Sequence, residues 1–364
     1  MINRVLVFDP VPLKGGSKKV MNTILEQLPH DVEIWVISND KASWGNAKIN
    51  FINLFSPHCL QNKTTGLCFY LKHLMYFFVL MTHMIKLKRF SKVIGISGPS
   101  VDFALYILTS IINIDVIQLV QGNISNSHVA NFGLNRATQV FYLPSTLDSI
   151  LSVLKAKPHG GELTKVKFHS FLNGIDCQTI KPKNKNTQLG FLWAASLLKW
   201  KRLELFTSAI AQLNNQYLHS ESYFASVCYI EPKTDKYLDI NTLKQESNIY
   251  WYEDPDSLND IRANSSVFIS TAESEPFGLS ILEAMTAGLA IVIPADNAYW
   301  DQQLIDGYNC VKYDAGNGES LAQALTKLID DRDLLSTIAK NSVRYAQQYC
   351  HLHCYDDILK SIPN

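Results

Sequence analysis

Short runs rich in β-branched and aromatic residues alternate along this chain with longer stretches of helical period, and this rhythm constrains the fold more than any single motif. Residues 4–8, 32–37, 93–96, 116–120 and 140–143 are predicted strands, nearly continuous in apolar character, with helical stretches mostly between them. Strands of that kind belong to parallel sheets covered on both faces. After Gln188 the rhythm restarts, with predicted strands at 189–194, 223–230, 249–252, 266–270 and 290–293. The expected architecture is α/β: two facing doubly wound, Rossmann-like domains, with ligands beyond the carboxyl ends of the strands in the cleft between them. The polar run 181–188 breaks both periods and is the predicted linker. It divides an N-terminal domain, 1–180, from a C-terminal domain, 189–345; a helical segment, 346–364, is expected to pack back on the first domain.

Charge separates the two halves. Overall 33 Lys/Arg balance 33 Asp/Glu, yet residues 1–172 carry 17 against 9, net +8, and residues 173–364 carry 16 against 24, net −8. Zero net charge argues against a generally basic nucleic-acid binder, and the asymmetry points to two units with different partners. Seven scattered cysteines suit reduced thiols rather than a disulfide frame. The first nine residues read as a strand, lacking the apolar h-region and cleavage site of a signal peptide. A cytoplasmic protein is expected.

The stretch from Leu67 to Phe90 is rich in Leu, Met, Phe and Tyr but carries Lys72, His73, His83, Lys86, Lys88 and Arg89. These charges interrupt the roughly 20 apolar residues that a bilayer span requires. A half-buried domain helix is predicted, with a basic, aromatic-bearing interfacial helix as the alternative. The second reading would place the chain peripherally, at the cytoplasmic face of a membrane, with an anionic surface as partner.

Chemistry concentrates between Ser270 and Gly288. Pro276 suits a first helical turn and Gly288 a helix stop, so a short helix is expected to begin just after Glu275. Its N-terminal amides would form an anion site able to hold a diphosphate. Glu283 lies eight residues beyond Glu275, about 12 Å along a helix at ~1.5 Å per residue. That spacing lets two carboxylates accept hydroxyls at the two ends of one nucleotide-sugar ligand. Spacing alone leaves open a solvated stripe of Ser280, Glu283 and Thr286 with Glu275 as a helix-start carboxylate.

The segment Glu275-Pro276-Phe277-Gly278-Leu279-Ser280-Ile281-Leu282-Glu283 resembles the E-x7-E signature of retaining glycosyltransferases of the GT-B fold, family 4. Three further segments carry the likeness in the expected order: Gly15-Gly16 after the first strand, Asn173-Gly174-Ile175-Asp176 before the second domain, and Asp306-Gly307-Tyr308-Asn309. The resemblance implies a metal-independent, retaining transfer of a hexose or related sugar from a nucleotide diphosphate to a glycan or lipid-linked acceptor. It places the chain in cell-surface polysaccharide or lipopolysaccharide synthesis. Gly15, Gly16, Ser196, Lys201, Arg202, Glu275, Pro276, Phe277, Gly278, Leu279 and Glu283 are then the donor-binding residues, and Glu275, Lys201 and Gln121 the catalytic ones. Within that assignment Glu275 takes the donor sugar's hydroxyls, Glu283 the ribose, and Lys201 a phosphate. No protein nucleophile and no cofactor are implied.

Two positions depart from the family pattern. In its G-R-L-x-x-x-K-G motif Lys201 falls on the lysine, but Ser196 stands at the arginine and Arg202 at the final glycine. One phosphate cation is therefore missing; Lys199 or Arg202 could replace its charge, although a point-charge ammonium does not supply an arginine's forked geometry. Gln121 stands where the family usually has histidine; an amide can bond a hydroxyl but cannot exchange a proton near neutrality. His128, nearby, is the candidate substitute. These departures keep two alternatives open: a nucleotide-sugar epimerase on the same fold, and a non-catalytic nucleotide-sugar or glycan-binding protein.

Two further motifs are read as structural. Asp254 and Asp256 offer a D-x-D pair, but their place ahead of a helix makes Asp256 a predicted N-cap. In Cys350-His351-Leu352-His353-Cys354 the two histidines diverge from the cysteine face of a helix, so no tetrahedral zinc site is expected.

Overall fold

A computed structural model describes residues 3–45, 48–61, 63–87, 90–155, 164, 167–184, 188–217, 223–231, 238–241, 243–245 and 248–362. The chain forms two compact units, residues 1–174 with 351–364 and residues 175–350. The units thus divide at Gly174/Ile175, ahead of the predicted linker. Residues 181–184 belong to the second unit because its backbone already binds them: Lys183 N donates to Ala287 O and Asn184 N to Ala263 O, both at 2.7 Å. The linker residues 185–187 lie outside the described residues. The returning C-terminal segment starts at His351 rather than at 346.

The first unit is built on a seven-stranded parallel sheet: β1 (Asn3–Asp9), β2 (Val32–Ser38), β3 (Ile49–Asn53), β4 (Lys92–Gly95), β5 (Asp115–Val120), β6 (Gln139–Tyr142) and β7 (Phe168–Ser170), ordered β3-β2-β1-β4-β5-β6-β7. The second has six strands: β8 (Leu189–Ser196), β9 (Tyr223–Ile230), β10 (Ile249–Glu253), β11 (Val267–Ile269), β12 (Ala290–Ala295) and β13 (Val311–Asp314), ordered β10-β9-β8-β11-β12-β13. Every pairing is parallel. In each unit the order reverses at one point, between β1 and β4 and between β8 and β11. Ligands of doubly wound sheets sit at such switch points.

Central strands such as Val5–Phe8 and Leu189–Trp193 are buried along their length, as their apolar runs require. Strands β3, β7 and β13 have no counterpart among the predicted ones. They are edge strands of three to five residues; β3 mixes half-buried and exposed positions, and β13 interposes Lys312 between buried Val311 and Tyr313.

The helix Gly66–Leu87 packs Phe69, His73, Tyr76, Phe77, Leu80 and Met84 into the first unit. Phe69 stacks on Phe103 with ring centroids 6.0 Å apart. Burial drives the His73 pKa down to about 3, so the imidazole is neutral. The other side of the same helix is apolar too: Leu67 is 74% exposed, Phe78 58% and Ile85 72%, with Tyr70, Leu71 and Leu74 between them. Among the described residues this is the one helix long and apolar enough to cross a membrane. Lys88 and Arg89 lie outside the described residues.

A buried polar network fills the switch point of the first unit. Asp9, at the end of β1, accepts from Ser38 Oγ at 2.8 Å and Trp44 Nε1 at 3.1 Å, and pairs with Lys18 at 3.1 Å. Lys18 also reaches Asp40 at 2.6 Å. Beyond β4, Asp102 accepts from Ser97 N and from Gln118 Nε2, both at 2.9 Å, through one oxygen. Its other oxygen has no hydrogen-bond partner among the described residues. Complete burial, reinforced by the neighbouring Asp9 charge, pushes the Asp102 carboxyl up to about 8. The folded value exceeds the ordinary 3.8, so the stability this group contributes is full below about pH 4 and is lost as pH rises through about 8. Asp102→Asn keeps the accepting oxygen and cannot ionise. Its Tm is expected to exceed that of wild type at pH 8 and to converge with it near pH 4; parallel pH profiles would contradict this account.

Candidate functional site

Parallel pairing of β8 with β11, in register at Val267–Phe191 and Phe268–Leu192, sets the carboxyl ends of these two strands side by side. The loops that follow them therefore meet. Lys201 closes a short 3-10 turn, Lys199–Lys201, just beyond β8, and Glu275 lies in the loop after β11. Their side chains, both largely buried, form an ion pair. Lys201 Nζ also sits 4.0 Å from the Trp200 ring centroid, a cation–π contact.

Backbone contacts hold the two loops together. Thr271 Oγ1 donates to Lys201 O at 2.7 Å and accepts from Trp193 Nε1 at 2.9 Å, while Glu273 N donates to Trp200 O at 2.8 Å. Arg202 adopts φ 52°, ψ 44°, the left-handed conformation natural to glycine. That explains why a glycine suits this place in the motif it resembles. Its guanidinium turns to Glu204 at 2.6 Å and Glu273 at 3.7 Å, so neither acid leaves it as an unpaired phosphate cation. Ser196 ends β8 and Lys199 is exposed.

The helix expected to start just after Glu275 starts instead at Leu279 and runs to Ala287. Pro276, Phe277 and Gly278 belong to the preceding loop, for a packing reason. The Phe277 ring is buried against Tyr299, Trp300 and Tyr349, with centroids 4.9, 5.2 and 6.0 Å away. Gly278, at φ 74°, then turns the chain, and its carbonyl accepts from Trp300 Nε1 at 3.3 Å. A Cβ at Gly278 would stand 3.0 Å from Glu275 Cγ. The 12 Å axial estimate between Glu275 and Glu283 fails with the helix start, because Glu275 is not helical. Gly288 does stop the helix, at φ 89°.

Asp296 organises this loop and was not found by sequence reasoning. Its carboxylate accepts from Ser274 N and Ala298 N, both at 2.9 Å, and with Glu275, Trp300 and Asp301 it lines one small depression. An Asp just beyond a strand carried no distinguishing signal. Arg262 was missed as well. On the helix Leu258–Asn264 it is 2% exposed and pairs with Glu283, itself 6% exposed. The second glutamate of the signature thus sits beneath the surface with its charge compensated by Arg262, which also donates to Asn259 Oδ1 at 2.6 Å.

The remaining candidates lie in other settings. Gly15, extended at φ −164°, caps the helix Gly16–Glu26 with open space where a side chain would stand. Gln121 follows β5; both of its amide atoms are shielded from solvent and lack a partner among the described residues. His128 opens the helix His128–Arg136 and is exposed. Ser257, not Asp256, occupies the N-cap of the helix Leu258–Asn264. Asp306 and Asn309 brace a turn, accepting from Lys312 N at 2.8 Å and Ile305 N at 2.7 Å. Among the described residues no group of three His, Cys, Asp or Glu side chains is arranged to hold a metal. Removing one partner of the buried Arg262–Glu283 pair strands a charge: Arg262→Met is expected to cost about 3–5 kcal/mol. The double variant Arg262→Met/Glu283→Leu should recover most of it in denaturant unfolding; additive losses would show that the pair is not coupled.

A profile of the family Glycosyl transferases group 1 matches residues 178–345, nearly the whole second unit and just under half of the chain. Among curated proteins, the Campylobacter jejuni N,N'-diacetylbacillosaminyl-diphospho-undecaprenol alpha-1,3-N-acetylgalactosaminyltransferase is 27% identical over 106 residues, 27% of this chain and 28% of that protein. A probable sucrose-phosphate synthase 4 of Oryza sativa subsp. japonica is 32% identical over 98 residues, 27% of this chain and only 9% of the synthase. The matched stretches are thus well under two thirds of these relatives' own lengths. Among solved structures, Anabaena Alr3699/HepE in complex with UDP-glucose superposes with TM-score 0.74 at 17% identity, covering 99% of both chains. WaaG, a glycosyltransferase involved in lipopolysaccharide biosynthesis, gives 0.71 at 15%, covering 98% of this chain and 99% of its own. Residues 178–345 thus resemble the glycosyl transferases group 1 family, and the chain has the GT-B fold of these solved structures.

Proposed function

We propose that this chain is a retaining glycosyltransferase that moves a sugar from a nucleoside diphosphate donor to a hydroxyl of a glycan or lipid-linked acceptor, in cell-surface polysaccharide or lipopolysaccharide synthesis. The observation that carries the reading is the Lys201–Glu275 pair at the β8/β11 switch point. Without donor, cation and carboxylate neutralise each other. With donor, the diphosphate takes Lys201, and Glu275 is released to accept hydroxyl hydrogens from the sugar. Lys201 and the leading amides of the helix Leu279–Ala287 then counter charge developing on the leaving phosphate, a role that needs no metal. Glu283 serves the ribose, and Arg262 holds its carboxylate in place. Acceptor recognition falls to the first unit, where Gln121 offers an unpartnered amide to a hydroxyl. HepE binds UDP-glucose and the Campylobacter relative is named for a diphospho-undecaprenol acceptor, which makes UDP-sugars and lipid-linked glycans the first substrates to assay.

Glu275→Ala is expected to abolish transfer with an unchanged Tm. Lys201→Ala is expected to weaken UDP by about 1.5–3 kcal/mol, the worth of one charge-assisted contact, and UMP by much less. Wild-type turnover in the first variant, or equal losses for both nucleotides in the second, would sink the assignment. Donor binding without transfer to any acceptor would instead support a binding protein, the reading favoured by Ser196 and Gln121. Transfer should persist in EDTA; loss restored by magnesium or manganese would overturn the metal-free mechanism.

The site of action is proposed to be an anionic membrane surface. A helix apolar on both sides, with one side bare, needs a cover. Leu67, Leu71, Leu74, Phe78 and Ile85 form that bare stripe, and Lys86 lies beside it on a net-basic half of the chain. Shallow insertion with basic residues near anionic headgroups, worth about 1 kcal/mol each, gives reversible attachment. Leu67→Ser/Phe78→Ser/Ile85→Ser is expected to lose co-sedimentation with phosphatidylglycerol vesicles that wild type shows at low salt. Undiminished binding would assign attachment elsewhere.

A further inference from the structure

The chain leaves the first unit at Gly174–Ile175 and re-enters it at Cys350–His351. At this passage the outgoing and returning segments are pressed together. Ile175 pairs with Cys350 in an isolated parallel bridge, and Ile175 N donates to Tyr349 O at 3.1 Å. Tyr355 Oη accepts from Gly174 N and donates to Gly174 O, both at 2.8 Å. A Cβ on Gly174 would stand 2.8 Å from His351 Cα, so only glycine permits this approach.

Two thiols meet at the passage. Cys350 lies in the bridge, and Cys177 lies two residues beyond its partner, its Sγ 3.9 Å from Ile175 O, so the bridge brings the two cysteines to one place. Both are partly exposed, so a small oxidant can reach them. Of the other five thiols, Cys354 is partly exposed too and lies against Gly174, and the remaining four differ. Cys228 and Cys310 are buried, each with its pKa pushed up to about 12 chiefly by that burial, and Cys59 and Cys68 are exposed in the first unit.

We propose that Cys177 and Cys350 form a redox modification site, closing to a reversible disulfide that staples the outgoing segment to the returning one. The oxidant class is a low-molecular-weight disulfide such as that of glutathione. One protein thiolate attacks it, releasing one small thiol and forming a mixed disulfide. The second thiolate attacks the protein sulfur of that intermediate, forming the Cys177–Cys350 bond and releasing the other small thiol. Two protein thiols lose two protons and two electrons, and one small disulfide becomes two thiols. Burial, the adjacent Cys350 and Asp176 together raise the Cys177 pKa, so exchange speeds up as pH rises. The bond closes nearly the whole second unit into one loop, which restricts its unfolded chain. It also fixes Tyr349, whose ring packs on Phe277 in the loop that carries Glu275.

The test uses the full chain, treated with glutathione disulfide at pH 8, alkylated, digested and analysed by mass spectrometry. The expected product is a peptide pair joined through Cys177 and Cys350, reversed by dithiothreitol, with Tm several degrees above that of the reduced protein. Cys177→Ser and Cys350→Ser should each abolish the joined pair and the Tm shift, while Cys354→Ser keeps both. A Cys350–Cys354 product, glutathione adducts without an internal bond, or a joined pair that leaves Tm unchanged would overturn the proposal.

Discussion

The parallel pairing of β8 with β11 is the constraint on which the site depends. These strands are some 70 residues apart in sequence, yet their register delivers the turn ending at Lys201 and the loop containing Glu275 to the same edge of the sheet. Neither residue chooses its partner locally. The strand order does so, and Thr271, Trp193 and Glu273 then fasten the two loops with side-chain and backbone hydrogen bonds. The aromatic box of Tyr299, Trp300 and Tyr349 completes the support by anchoring Phe277, two residues beyond Glu275. Support of this kind limits how far the Glu275 carboxylate can drift, which matters because small displacements of a positioned group are costly.

The central strands of both sheets were legible in the sequence because burial on two faces demands unbroken apolar runs, and Val5–Phe8 or Ile291–Ile293 offer little else. The edge strands β3, β7 and β13 were not, since exposure on one side lets polar residues into a short segment. Glycine positions carried over well where backbone conformation alone decides, as at Gly288. Pro276 misled for the complementary reason: its fixed φ suits a helix start, but burial of Phe277 and the left-handed turn at Gly278 outweigh that local preference and move the helix to Leu279. The division between units was misplaced because polarity marked 181–188, whereas the first backbone bonds to the second unit decide where it begins.

Glu275 and Glu283 share a sequence signature but occupy unlike environments. Glu275 meets a lysine in a partly open loop, where a ligand can exchange with it; Glu283 lies almost wholly buried against an arginine. The first arrangement is suited to switching partners on donor binding and the second to a fixed orientation, since an uncompensated buried charge is costly. Residues that act by holding others, Arg262 through Glu283 and Asp296 through the backbone of Ser274 and Ala298, escape sequence reading because their partners are set by tertiary contacts. Arg202 carries a related lesson. It sits where the resembling motif has glycine, adopts glycine's conformation, and spends its charge on Glu204 and Glu273.

The central claim is that Lys201 exchanges Glu275 for the donor's diphosphate. Calorimetric titration of UDP and of a UDP-sugar into wild type and Glu275→Gln tests it most directly. The account requires UDP to bind the variant at least as tightly as wild type, because the competing carboxylate charge is gone, while the added affinity contributed by the sugar disappears. Weaker UDP binding with the sugar's increment intact would contradict it.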